Sequence, residues 1–170
     1  MGDSWLFGMI RDKRKKGMIR EAVMNTKHPD LFAYLKGLIK THDRTFKYTT
    51  INVNRNIKCI EHRDGSNIGE SIIVGMGDYE DGEFVVKGRD YISIPALGGP
   101  PWPPVLRHDT EYNIQGNFVR FDGSQVHYTK PFKGTRISVV YFTMYEVDPP
   151  GTASPVKVGG KRKREMPIVG

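Results

Sequence analysis

The hydrophobic pattern changes period once along the chain, near residue 43. Before that point apolar residues recur at helical spacing. Leu31, Tyr34, Leu35, Leu38 and Ile39 fall at i, i+3, i+4, i+7 and i+8, the stripe of an amphipathic helix. Pro29 suits the first turn of this helix, where a missing N–H costs nothing. Met18, Ile19, Ala22 and Val23 predict a shorter helix over 18–25 by the same spacing. Trp5-Leu6-Phe7 and Met9-Ile10 make an apolar patch expected to dock on the core, with no element assigned to it.

After Asp43 the period becomes two, the signature of strands with one buried face. Strands are predicted over 47–54, 57–62, 71–76, 83–87, 91–94, 110–114, 117–121, 126–129 and 136–146. Turns fall at Glu80-Asp81-Gly82 and Asp122-Gly123, and the proline-rich stretch 98–104 is a loop. Short strands with regular turn signals predict a mainly β chain, an antiparallel sandwich or barrel, with N-terminal helices at about 18–40 bracing one face. The expected organisation is one domain over 1–147, its β core at about 47–146, and a flexible basic tail over 148–170.

Composition changes this picture little. A chain of 170 residues is long enough to bury a core of its own. No apolar run approaches the roughly 20 residues needed to span a bilayer, so no membrane association is expected. One cysteine, Cys59, excludes a disulfide framework and a multi-cysteine zinc site, and a reducing, intracellular setting is expected. The net charge of +7 is concentrated: residues 11–16 carry +4 and residues 161–165 carry +3, leaving the rest neutral. Such runs attract phosphate, solubilise a chain end or, in a eukaryotic chain, act as a nuclear-import signal, and these readings stay open.

Candidate chemistry enters with His62 and Asp64. In an extended segment residues i and i+2 share a face, so both side chains can reach one metal ion, while Glu61 points away. His127 opens a later strand and supplies a third ligand; two histidines and one carboxylate on one side of a metal suit iron(II) with open positions. Arg136 and Ser138, two apart on one strand face, suit a buried dicarboxylate: the planar guanidinium pairs bidentately with a carboxylate and the hydroxyl adds a hydrogen bond. His28, His42 and His108 read as structural. Asn52 and Asn54 either line the same pocket or face outward, and Trp102 either forms a substrate lip or covers a core edge.

His62-x-Asp64, His127 and Arg136-x-Ser138, in that order among short strands, resemble the Fe(II)/2-oxoglutarate-dependent dioxygenases over about residues 48–145. The resemblance implies a double-stranded β-helix, a jelly-roll of the cupin type, with Fe(II), 2-oxoglutarate and O2 as its chemistry. His62, Asp64 and His127 would be the metal-binding and catalytic residues, and Arg136 and Ser138 would hold 2-oxoglutarate. Within that superfamily His62-Arg63-Asp64-Gly65-Ser66-Asn67 is similar to an element of the TET/JBP branch, which oxidises the methyl group of 5-methylcytosine or thymine in DNA. This implies a nucleic-acid substrate faced by Asn67, a residue that in its glycine-flanked setting also reads as an ordinary turn asparagine. The cysteine-rich zinc-binding region of the branch's animal members is missing, so the chain would be a minimal catalytic core. Two other readings are carried alongside: a prolyl or asparaginyl hydroxylase of protein side chains, and a cupin-like module that binds metal without turnover. Protein partners are unknown.

Overall fold

The structure, a computed structural model, describes residues 2–12, 18–88 and 108–145. The strand expected at 91–94, the loop 98–104 with Trp102, most of the basic run 11–16 and the tail 148–170 lie outside the described residues.

The chain begins with strands β1 (Asp3–Asp12) and β2 (Met18–Glu21), then helices α1 (Val23–Lys27) and α2 (Pro29–His42). There follow β3 (Thr50–Arg55), β4 (Glu70–Met76), β5 (Tyr79–Asp81), β6 (Phe84–Val86), β7 (Thr110–Tyr112), β8 (Phe118–Asp122), β9 (His127–Thr129), β10 (Phe132–Gly134) and β11 (Ile137–Phe142). The larger sheet runs β2-β1-β3-β11-β4-β8, and β7-β6-β9 and β10-β5 form the smaller ones. Every strand pair is antiparallel. Successive strands pass from the large sheet (β4) to the small (β6, β7), back (β8), across (β9) and back again (β11). That alternation makes two facing layers, a jelly-roll. The fold is a mainly β double-stranded β-helix with N-terminal bracing helices, as expected.

Period-two alternation decides what each face of the large sheet does. Ile51 and Val53 of β3, Ile72 and Val74 of β4, and Val139 and Tyr141 of β11 point outward and bury Leu35 and Ile39 of α2, with Phe7 of β1. Burying each such side chain stabilises the fold by about 1.5–3 kcal/mol. The Tyr141 hydroxyl donates to the Leu35 carbonyl at 2.8 Å, tying helix to sheet. The opposite residues, Ile73 and Phe121 with Phe84 and Val86 of β6, pack between the layers. No helix among the described residues is long and apolar enough to cross a membrane.

Several expectations are corrected. Residues 18–21 are strand, not helix: Met18–Glu21 pairs with Met9–Asp12, and only after the extended Ala22 does the chain turn helical, so the helices span 23–27 and 29–42. The apolar patch 5–10 is part of a ten-residue strand, paired first with β3 and, beyond Gly8, with β2. Gly8 lies at φ +80 where a side chain would strike the Thr49 carbonyl, which makes glycine necessary at that switch. Residues 57–62 are not a continuous strand. Asn56, at φ 55, ends β3, and the segment then follows β9 through isolated bonds: Thr129 to Cys59, and His62 with His127. The strands β5 and β10, three residues each, arise at an expected turn and in a stretch to which no element was assigned.

Candidate metal centre and its cavity

The inner face of the large sheet is the floor of a cavity of about 320 Å3 between the layers. Register fixes its tiling. Asn54, Ser138 and Gly75 are cross-strand partners in one row, and Asn52, Val140 and Ile73 form the next. Asn52 and Asn54 therefore both line the cavity, with Ser138, Phe84, Phe121 and Thr129.

At its mouth His62, Asp64 and His127 converge, their ligand atoms all within 4.8 Å of one another. His62 Nε2 lies 3.7 Å from Asp64 Oδ1, and His127 Nε2 lies 3.7 Å from Asp64 Oδ2. The backbone sets this convergence. His62 and His127 exchange N–H···O bonds at 3.1 and 3.0 Å, which brings their rings to 4.3 Å between centroids, and the Asp64 N–H donates to the Gly123 carbonyl at 2.8 Å. Each histidine turns its other nitrogen to a carbonyl: His62 Nδ1–H donates to Ile60 at 2.7 Å and His127 Nδ1–H to Gln125 at 2.8 Å. A carbonyl only accepts, so both Nδ1 atoms carry the proton and both Nε2 lone pairs face the cluster, the arrangement of metal-binding histidines. Burial lowers the His127 pKa, and nearby His62 acts in the same sense; the Gln125 carbonyl and Asp64 oppose it. The neutral, ligating form is thereby favoured.

Asn67 sits behind the carboxylate. Its amide nitrogen donates to Asp64 Oδ2 at 3.1 Å and lies 3.4 Å from Ser71 Oγ. Glu61 turns away to Lys87 at 2.8 Å. The remaining histidines take no part: His28 opens α2 and borders an apolar hollow under it, His42 stacks on Phe118 at 4.5 Å, and His108 is exposed.

Arg136 shares its strand face with Ser138 and is only 2% exposed. Its guanidinium carbon lies 5.5 Å from the Tyr79 ring centroid and 5.6 Å from that of Phe132. Neither its Nε nor its Nη2, nor the neighbouring Tyr79 hydroxyl, has a hydrogen-bond partner among the described residues. Burial depresses the Arg136 pKa, while Tyr79 and Cys59 pull it back. A buried cation with unmet N–H groups is costly unless an anion completes it, so this corner fits a carboxylate. Asn56 fixes the backbone there: its Oδ1 accepts from the Arg136 N–H at 2.8 Å and its own N–H donates to the Arg136 carbonyl at 2.8 Å. Tyr79 and Asn56 were not found by sequence reasoning. Tyr79 precedes an acidic turn and carries no local signal; only the fold brings it beside Arg136.

No protein-family model and no curated protein matches the chain. Among solved structures, one described as an oxidoreductase of the 2OG-Fe(II) oxygenase family from Burkholderia pseudomallei is similar in fold. Its TM-score is 0.50 at 16% sequence identity, over 83% of this chain and 66% of that one. The chain thus spans just under two thirds of that protein's length, and the likeness is one of architecture.

Proposed function

We propose that this chain is an Fe(II)/2-oxoglutarate-dependent dioxygenase that hydroxylates a substrate C–H bond. One observation carries the reading: a His-Asp-His donor set lines the cavity between the layers, and a buried, incompletely bonded guanidinium lies two residues from Ser138, which lines the same cavity. The likeness in fold to a 2OG-Fe(II) oxygenase family protein supports it.

Bound together, iron(II), 2-oxoglutarate and O2 supply the chemistry: the cosubstrate leaves as succinate and CO2, one oxygen atom enters succinate, and the other becomes the new hydroxyl. The protein's residues bind, orient and exclude water. His62 and His127 would hold the metal through Nε2 and Asp64 through a carboxylate oxygen, a donor set of three that would leave room for cosubstrate and O2. The Arg136 fork would take the distal carboxylate, with the Tyr79 and Ser138 hydroxyls as further donors. Phe84, Phe121 and Val140 line the cavity with apolar surface and limit water.

The substrate we infer is the methyl group of 5-methylcytosine or thymine in DNA. The His62-to-Asn67 element supports this, together with the exposed Arg63 beside the mouth and the position of Asn67 on the cavity wall. The base would be single-stranded or flipped out to reach the metal. Residues 1–147 would form the catalytic domain, and the basic tail would add phosphate affinity. One observation favours protein side-chain hydroxylation instead: Lys87 and Lys130, flanking β9, are paired with Glu61 and Glu111, which leaves less free positive charge there for phosphates.

Succinate release and product mass, measured with thymine- or 5-methylcytosine-containing oligonucleotides against a peptide panel, test both levels. Succinate with a gain of one oxygen on the oligonucleotide is expected. Turnover confined to peptides removes the DNA reading, and absence of metal- and 2-oxoglutarate-dependent turnover with every substrate removes the enzyme.

A further inference from the structure

Asn67 does more than border the cavity. Its amide nitrogen reaches Asp64 Oδ2 at 3.1 Å, and the hydroxyl of the fully buried Ser71 lies 3.4 Å from the same nitrogen. A carboxylate oxygen can only accept, so the NH2 group must face Asp64 and the amide orientation is fixed by chemistry. The turn after β8 closes over the pair: the Gly123 carbonyl accepts from the Asp64 N–H, and a Cβ at Gly123 would lie 3.2 Å from both Asn67 Nδ2 and Asp64 Cβ. A side chain there would press on both residues, so glycine eases this close approach. The carboxylate is thus bonded by Asn67 on Oδ2, with Oδ1 turned toward His62 Nε2 and Oδ2 toward His127 Nε2, each at 3.7 Å.

We propose that Asn67 is a positioning residue for the metal-binding carboxylate. By bonding Oδ2 it fixes the rotation of the Asp64 carboxylate, so that the oxygens stay turned toward the Nε2 atoms of His62 and His127. The inference rests on the metal site proposed above and deepens it. It gives Asn67 a role that does not depend on what the substrate is. Its NH2 group is used within the protein, which leaves the amide oxygen as the atom for any substrate contact. Groups that hold a metal ligand in this way typically change metal affinity by about 10- to 100-fold when removed.

The test uses Co(II) alone, without cosubstrate or substrate. Wild type, Asn67→Ala and His127→Ala are titrated by calorimetry, the visible Co(II) bands are recorded at saturation, and thermal unfolding of the metal-free proteins checks folding. The expected result is about tenfold or greater loss of Co(II) affinity in Asn67→Ala, with altered band intensity as the freed carboxylate turns. Asn67→Gly serves as a second truncation should the alanine variant unfold. Unchanged affinity and an unchanged spectrum in the folded Asn67 variant, while His127→Ala loses binding, overturn the Asn67 assignment and leave the metal site standing. Co(II) uptake that is absent from wild type, or indifferent to His127→Ala, overturns the metal site and the Asn67 role together.

Discussion

Arg136→Met separates the folding and binding roles of one side chain. In the metal-free protein two guanidinium nitrogens, Nε and Nη2, are buried without partners among the described residues, and each costs about 1–3 kcal/mol. The Tyr79 and Phe132 rings, at 5.5 and 5.6 Å from the guanidinium carbon, return about 0.5–2 kcal/mol each. The balance leaves the arginine about 1–2 kcal/mol worse than a side chain of similar volume with no charge. Methionine fills the space with a flexible apolar chain. Since each kcal/mol moves the unfolding temperature by about 2–4 °C at this size, the metal-free variant should melt about 2–8 °C higher than wild type. The cosubstrate should behave oppositely. Removing one partner of a buried charge pair costs about 2–5 kcal/mol, so 2-oxoglutarate should bind about 30- to several-thousand-fold more weakly.

The assay is thermal unfolding with saturating Mn(II) and increasing 2-oxoglutarate, repeated by calorimetry. Wild type should be stabilised by cosubstrate through mass action, and Arg136→Met should show the higher starting point without the response. A variant that melts lower than wild type, yet retains the full 2-oxoglutarate response, refutes the reasoning. In that case the guanidinium would be a structural group and the cosubstrate anchor would lie elsewhere.

Tyr79→Phe removes a buried hydroxyl that has no partner among the described residues, so metal-free stability should hold or rise slightly. Its 2-oxoglutarate affinity should fall about 10- to 100-fold if the hydroxyl donates to a carboxylate, which the same titration reads. Burial holds the His127 pKa below the ordinary value of 6.5, with His62 acting in the same direction. Below about that pH the unfolded chain binds the proton and the folded chain resists it, so metal-free stability should fall as pH drops. His127→Gln should flatten that slope in urea titrations run between pH 7 and 5. Tyr141→Phe breaks the bond to the Leu35 carbonyl and should cost about 0.5–1.5 kcal/mol, with Co(II) and 2-oxoglutarate affinities unchanged, because the residue points away from the cavity.

The elements legible in the sequence are those with one face buried against a single neighbour. Helix α2 shows its stripe because Leu35 and Ile39 meet the outer face of the large sheet, and β4 shows as an apolar run because both its faces are covered. Where pairing rather than periodicity decides, the sequence misleads. Met18, Ile19, Ala22 and Val23 fit a helical stripe, but residues 18–21 find a ready strand edge in β1 and extend along it. The three-residue strands β5 and β10 pair with each other across more than fifty residues and are too short for any period to register. Segment 57–62 has the composition of a strand, yet the left-handed Asn56 detaches it from β3 and leaves it held by a few bonds to β9.

The site divides along the same line. His62 and Asp64 are two residues apart, and Arg136 and Ser138 likewise, so each pair is a local spacing that a sequence can display. What no spacing displays is the way each pair is held. The metal half sits on an irregular segment and owes its geometry to contacts made from elsewhere: the His127 backbone, the Gly123 carbonyl and the Asn67 amide. In the arginine half Ser138 lies in β11, whose two neighbours in the large sheet fix the strand on both sides, and Arg136 immediately precedes it, with Asn56 bonded to the Arg136 peptide at both its N–H and its carbonyl. Ordering of the first half should therefore depend on the metal, since ligand binding and local folding share one free energy there, whereas the second half is built before any ligand arrives. The unmet groups of Arg136 and Tyr79 are consistent with that order: a rigid sheet can hold them unbonded, and a loose segment would relax to satisfy them.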